Sequence, residues 1–185
     1  MDRAQILQFT KFALLAGVAG ALIYTFTGSH GERARPMTSP SERKAMPQIE
    51  LSDLKGAPWR LSDHRGEVVL VNFWATWCTP CRSETPDLVK VAQQYAKRGV
   101  AFVGVSMDDQ PKSAAPAFVS HYGIPYPVLV PDSGFTLGNA IEGLPTTLLV
   151  DRNGRLARAY TGAVTAERLR SDLDRLLAES SERRS

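Results

Sequence analysis

Cys78 and Cys81 are the only cysteines among 185 residues, and they stand three apart in Trp77-Cys78-Thr79-Pro80-Cys81. A pair so close shuts too small a loop to hold a fold together by chain entropy, which excludes a disulfide-stapled scaffold and leaves a redox or metal-binding pair. At the junction of a buried strand and a helix, the unpaired N–H groups and the dipole of the helix N-terminus stabilise a thiolate. Cys78 is then the expected nucleophile. Cys81, one turn further in, is placed to attack the mixed disulfide between Cys78 and a substrate, releasing reduced substrate. Pro80 costs little in a first turn, where its missing N–H would be unpaired anyway. Glu84 falls one turn beyond Cys81 on the same face, where it either serves proton transfer from the inner thiol or is a solvated first-turn acid favoured by the dipole. Trp77 is expected on an apolar docking rim beside the nucleophile, and Trp74 in the core.

Other chemistries are open to the same residues. Zinc usually takes four ligands, and His30, His64 and His121 sit in no second-pair spacing, so no metal site and no cofactor is assigned. A copper-binding assembly chaperone would need His64 or His121 beside the cysteines as a third soft-site donor. A thiol peroxidase would use Cys78 on peroxide with Cys81 as resolving thiol. No arginine-bearing motif precedes Cys78, and Arg82 after the pair reads as an exposed helix residue.

The elements that must position this pair follow from the hydrophobic pattern. VVLVNFW at 68–74 is a near-continuous β-branched and aromatic run, expected of a strand covered on both faces. Leu88, Val91, Ala92 and Tyr95 recur at helical spacing, ending near Lys97, Arg98 and Gly99, with Pro86 expected to kink the helix. Upstream, 49–65 reads as a hairpin with Lys55-Gly56 at its turn. Downstream come a strand at 100–105, a helix at 113–122 and a short strand at 128–130. A hairpin of 148–151 and 156–160 around Asn153-Gly154 and an amphipathic helix at 166–177 follow. Asp108-Asp109 is read as a loop after the second buried strand. The implied class is α/β, a mixed central sheet flanked by helices with an N-terminal β-hairpin.

The net charge of +3 lies wholly in the first 45 residues, with six basic and three acidic side chains, while sixteen of each follow. That neutral remainder gives no case for nucleic acid. After a basic segment, 1–11, the uncharged stretch 12–27 reads as a membrane anchor or a signal h-region, and no clean cleavage pattern follows it. Polar 28–47, with three Pro, reads as a flexible linker, 48–178 as the domain and 179–185 as a disordered tail. Arg33, Arg35, Arg43 and Lys44 outnumber Arg3 and Lys11, and that count alone points the domain inward.

VNFWATWCTPC at 71–81, with GLPTT at 143–147, resembles the thioredoxin superfamily, and more narrowly the membrane-anchored bacterial TlpA, ResA and CcmG group. The likeness runs from about residue 49 to 177. It implies a thioredoxin-like fold, in which Pro145 is a cis-proline against the active pair and Leu144 lends backbone to a bound peptide. It also implies an acid-base role for Glu84. Asn72 stands where ordinary thioredoxins carry a buried aspartate and cannot titrate, which raises the importance of Glu84; read alone it is a strand-end polar group. The resemblance implies a protein-disulfide reductase on the outer face of a bacterial cytoplasmic membrane, in the periplasm or outside the cell. Its clients would be apocytochrome c or the copper-site subunit of respiratory oxidase, and a membrane thiol transporter would supply electrons.

Overall fold

The computed structural model describes residues 33–34 and 36–179, so the basic segment 1–11, the apolar stretch 12–27 and positions 180–185 of the tail lie outside the described residues. Among those described, no helix is long and apolar enough to cross a membrane. In chain order the elements are β1 (Arg33–Ala34), β2 (Glu50–Asp53), β3 (Pro58–Arg60), β4 (Val68–Trp74), α1 (Thr79–Tyr95) and β5 (Val100–Ser106), then α2 (Pro111–Tyr122), β6 (Val128–Val130), β7 (Thr146–Val150), β8 (Leu156–Thr161) and α3 (Ala166–Ala178). The strands form one mixed sheet in the order β1-β8-β7-β4-β5-β6-β2-β3.

The apolar run at 68–74 became the central strand because both of its faces are covered. All seven residues of β4 are buried, paired parallel to β5 and antiparallel to β7. Its alternate side chains go to different layers. Val68 and Leu70 pack with Leu88, Val91 and Tyr95 of α1 and with Leu169, Leu173 and Leu176 of α3. Val69, Val71 and Phe73 pack on the other face with Met46 and with Ile49, Leu51, Trp59 and Leu61 around the hairpin. Each such Leu, fully buried, contributes about 2 kcal/mol of transfer free energy. The parallel steps β4-α1-β5 and β5-α2-β6 move the same way across the sheet, and right-handed crossovers therefore place both helices on one face. The expected hairpin is present, with Leu51 opposite Trp59 and Gly56 at φ 86°, and it joins the sheet through β6. α1 runs through Pro86 as one helix.

The stretch read as linker and the residue read as the start of the tail are corrected in part. From residue 36 onward the chain runs along the outer edge of β8. Thr38 N–H donates to Ala157 O, Leu156 N–H to Lys44 O, and Met46 N–H to Gly154 O. A polar sequence without hydrophobic period can still pair through its backbone, and here it covers an edge that would otherwise present open hydrogen-bonding groups. Arg43 is buried and binds both carboxylate oxygens of Glu179, at 2.6 and 2.8 Å, which fixes the residue following α3.

Candidate active site

Cys78 and Cys81 form a disulfide at the point where β4 gives way to α1, with their Cα atoms 5.3 Å apart. Cys78 is the N-cap residue of α1, and its sulfur accepts the Cys81 N–H at 3.2 Å. One of the orphan donors of the helix start thus points at the outer sulfur, the arrangement that stabilises a thiolate once the bond is reduced. Cys81 is wholly buried. Around the pair lie Trp74, Ala75, Ala115, Phe118 and Val128, with Leu144 packed against them, and Trp74 stacks on Phe118 at 4.3 Å. Trp77 is 68% exposed, a large apolar ring left in solvent beside the nucleophile position. Pro80 is exposed next to it, and Pro145, buried, follows a cis peptide bond from Leu144.

Glu84 is not the solvated acid that its first-turn position allowed. It is 4% exposed, and its two oxygens accept from Asn72 Nδ2 at 2.9 Å and from Val164 N–H at 3.0 Å. Burial pushes its pKa up to about 7, while the two hydrogen bonds pull the other way and lose. Asn72 lies inside the strand, donating to Thr147 Oγ1 at 2.9 Å as well as to Glu84, so it is a bridge and not a strand-end group. A lone amide in the middle of VVLVNFW was the available signal, because a buried polar group must find partners. Thr147 and Val164 carried no comparable signal.

Asp108 was read as loop and proves to be a tie. Its carboxylate is buried and accepts from Thr76 N–H at 3.0 Å, Thr76 Oγ1 at 2.7 Å and Ser106 Oγ at 2.7 Å. The candidate third ligands of a copper site go elsewhere. His64 hydrogen-bonds Glu67 and stacks on Trp59, and His121 is exposed with its ring edge-on to Tyr122. Among the described residues no three His, Cys, Asp or Glu side chains converge as a metal would require. Arg82 is exposed on α1.

The match to the AhpC/TSA family spans residues 43–173, the sheet, its helices and the cysteine pair together. The chain belongs to this family. Within its AhpC/TSA framework the chain is 34% identical to the thiol-disulfide oxidoreductase ResA of Geobacillus kaustophilus (strain HTA426) over 89% of its length and 92% of the relative's. It is 33% identical to the thiol:disulfide interchange protein HelX of Rhodobacter capsulatus, covering 95% of this chain and 97% of that one. Among solved structures, a DsbE thiol:disulfide interchange protein from Chlorobium tepidum superposes with TM-score 0.67 at 29% identity, over 74% of this chain and 97% of the other. A DsbF homologue from Corynebacterium diphtheriae does so with TM-score 0.70 at 29% identity, over 78% and 94%. The thioredoxin-like fold expected from the motifs is therefore the observed one, and this AhpC/TSA member is a thiol-disulfide oxidoreductase of the ResA, DsbE and HelX type.

Proposed function

We propose that the chain is a reductase of protein disulfides, anchored in a bacterial cytoplasmic membrane by 12–27 with its domain outside. Its clients are apocytochrome c or the copper-site subunit of a respiratory oxidase, and a membrane thiol transporter returns it to the dithiol state. In the reduced form Cys78 attacks a client disulfide, breaking its S–S bond and forming a mixed disulfide. Cys81 then attacks the Cys78 sulfur, the client leaves with both cysteines reduced, and the two electrons it gained come from the Cys78–Cys81 dithiol. The proton on Cys81 must leave as it attacks, and Glu84 is the group assigned to receive it. Trp77, Pro80, Leu144 and Pro145 form the surface on which the client peptide docks.

The observation that carries this reading is the buried Glu84 carboxyl one turn along α1 from Cys81, with a pKa of about 7. A base poised near the working pH is the most effective proton acceptor, and a group of ordinary carboxylate pKa would accept a thiol proton poorly. The likeness to ResA and HelX supports the same chemistry.

The reduction potential of the full chain in detergent, equilibrated against defined dithiothreitol ratios, tests the direction. A value at or below about −220 mV supports the reductase, whereas one near about −120 mV would make the protein a disulfide donor. Cys78→Ser is expected to abolish exchange with protein disulfides. Peroxide consumption that needs Cys78 while protein disulfides go untouched would overturn the reading in favour of a peroxidase.

A further inference from the structure

We propose that Asp108 is a positioning residue for the attack of Cys78, acting through Thr76. This rests on the assignment of Cys78 as the attacking thiol. Between the end of β4 and the start of α1 the chain makes one tight turn, closed by Cys78 N–H on Ala75 O at 3.2 Å. Both Trp77 and Cys78 project from it. The Thr76 N–H inside it is held from outside the turn.

Asp108 supplies that hold. The strand ends Trp74 and Ser106 are register partners in the parallel pair β4 and β5, and Met107 N–H continues the pairing onto Trp74 O at 2.7 Å. Asp108 follows directly, which brings its carboxylate back over the turn. Oδ1 takes both the N–H and the hydroxyl of Thr76, while Oδ2 takes the Ser106 hydroxyl. The turn bearing the nucleophile is thereby pinned to the neighbouring strand by a side chain that touches neither cysteine. Removing the carboxylate leaves the Thr76 N–H half-buried without a partner, and the turn must shift to satisfy it. Cys78 would then leave its place over the helix start, and reactivity is steep in such displacements, with about 1 Å costing up to about a hundredfold.

An asparagine at 108 distinguishes this role from that of a charge. Its Oδ1 can still accept both groups of Thr76, and its Nδ2 can donate to Ser106 once that hydroxyl turns to accept. The experiment uses the full chain purified in detergent, with steady-state reduction of a disulfide-bonded peptide of defined sequence, excess dithiothreitol restoring the Cys78–Cys81 dithiol after each turnover and the uncatalysed rate subtracted. Asp108→Ala is expected to lower kcat about tenfold with KM within about twofold, while Asp108→Asn stays within about threefold of the unsubstituted protein. A wild-type kcat in Asp108→Ala overturns the proposal. Equal loss in Asp108→Asn and Asp108→Ala also overturns it, because the charge and not the hydrogen bonds would then be acting. Should Asp108→Ala fail to fold, Thr76→Val against Thr76→Ser decides: the serine keeps the rate and the valine loses about threefold, and equal rates sink the idea. Mapping by mass spectrometry which cysteine is alkylated first in the unsubstituted protein tests the premise separately, since prior reaction at Cys81 would remove the nucleophile assignment whatever Asp108 does.

Discussion

Two of the places where this domain buries ionisable side chains treat the charge in opposite ways. One turn along α1 from Cys81, Glu84 accepts from neutral donors, an amide side chain and one backbone N–H. At the other pole of the sheet, where β7 runs out antiparallel to β4, Arg43 lies between two carboxylates, at 2.6 Å from Glu179 and 3.2 Å from Asp151. Desolvation works against the Arg43 guanidinium, but the hydrogen bonds it donates to Glu179 and Asp151 outweigh it and hold its pKa above the ordinary value. At Glu84 desolvation wins. With counter-charges on both sides the Arg43 charge is locked on and staples the structure, whereas Glu84, given only two dipoles, is pushed up to about 7. The first binds the N-terminal segment to the end of α3, and the second leaves a carboxyl that titrates near 7 one turn along α1 from Cys81.

The largest effect should come from breaking the staple. Arg43→Ala leaves Asp151 and Glu179 without their shared cation and releases the Thr38 carbonyl, which Arg43 Nε also holds at 3.0 Å. Loss of one partner of a fully buried pair costs about 3–5 kcal/mol, and because Asp151 keeps Arg155 Nε at 3.0 Å the loss here should fall at about the lower end. Urea unfolding of the oxidised protein should show that loss, with disulfide exchange below the transition unchanged.

Glu84→Gln should act next, and in the opposite sense on stability. With a folded pKa raised from 4.5 to about 7, Glu84 adds stability that is complete below pH about 4.5 and is lost as pH climbs through about 7. The span is worth about 3 kcal/mol. A glutamine keeps the Val164 bond through its oxygen and turns its amide toward Asn72. Asn72 can flip to accept, with the Thr147 hydroxyl rotating to donate. The variant should therefore be more stable than the unsubstituted protein at pH 8, and its stability should lack the slope between pH 4.5 and 7. Its exchange rate should fall about tenfold or more and lose the inflection near pH 7. An unchanged pH–rate profile would remove Glu84 from the chemistry.

Much of the first region was legible before any coordinates. The spacing of Cys78 and Cys81, the buried strand before them and the helical stripe after them each follow from local pattern, and the motif at 143–147 led to Pro145. Glu84 could be placed on the right face of α1, but whether that face was wet or dry depended on Val164 and Asn72, which come from elements far off in sequence. The second region was illegible for a different reason. Arg43 and Glu179 each sit in polar, Pro- or charge-rich stretches that look like linker and tail, and only the closure of the chain across 136 residues turns them into a partly buried pair. Local periodicity reports which side chains seek the core. It carries no information about charged residues that are buried only because another charge awaits them.

Two smaller substitutions sharpen the contrast from each side. Asn72→Asp puts a second carboxylate in hydrogen-bonding reach of Glu84, at the 2.9 Å contact the amide now makes. The two acids would share one proton, so the pair titrates as a unit and its upper apparent pKa should lie about one unit or more above 7, seen as a displaced inflection in the exchange profile.

Arg60→Ala removes a pair with the same chemistry as the Arg43 staple, since Arg60 Nε meets Glu50 Oε1 at 2.7 Å across the β2–β3 register, yet both side chains are largely in solvent. Water and salt there replace whatever the partner provided. The unfolding midpoint should not move. If it moved as far as in Arg43→Ala, pairing itself and not burial would be the source of the staple's strength, and the distinction between Glu84 and Arg43 would have to rest on charge type alone.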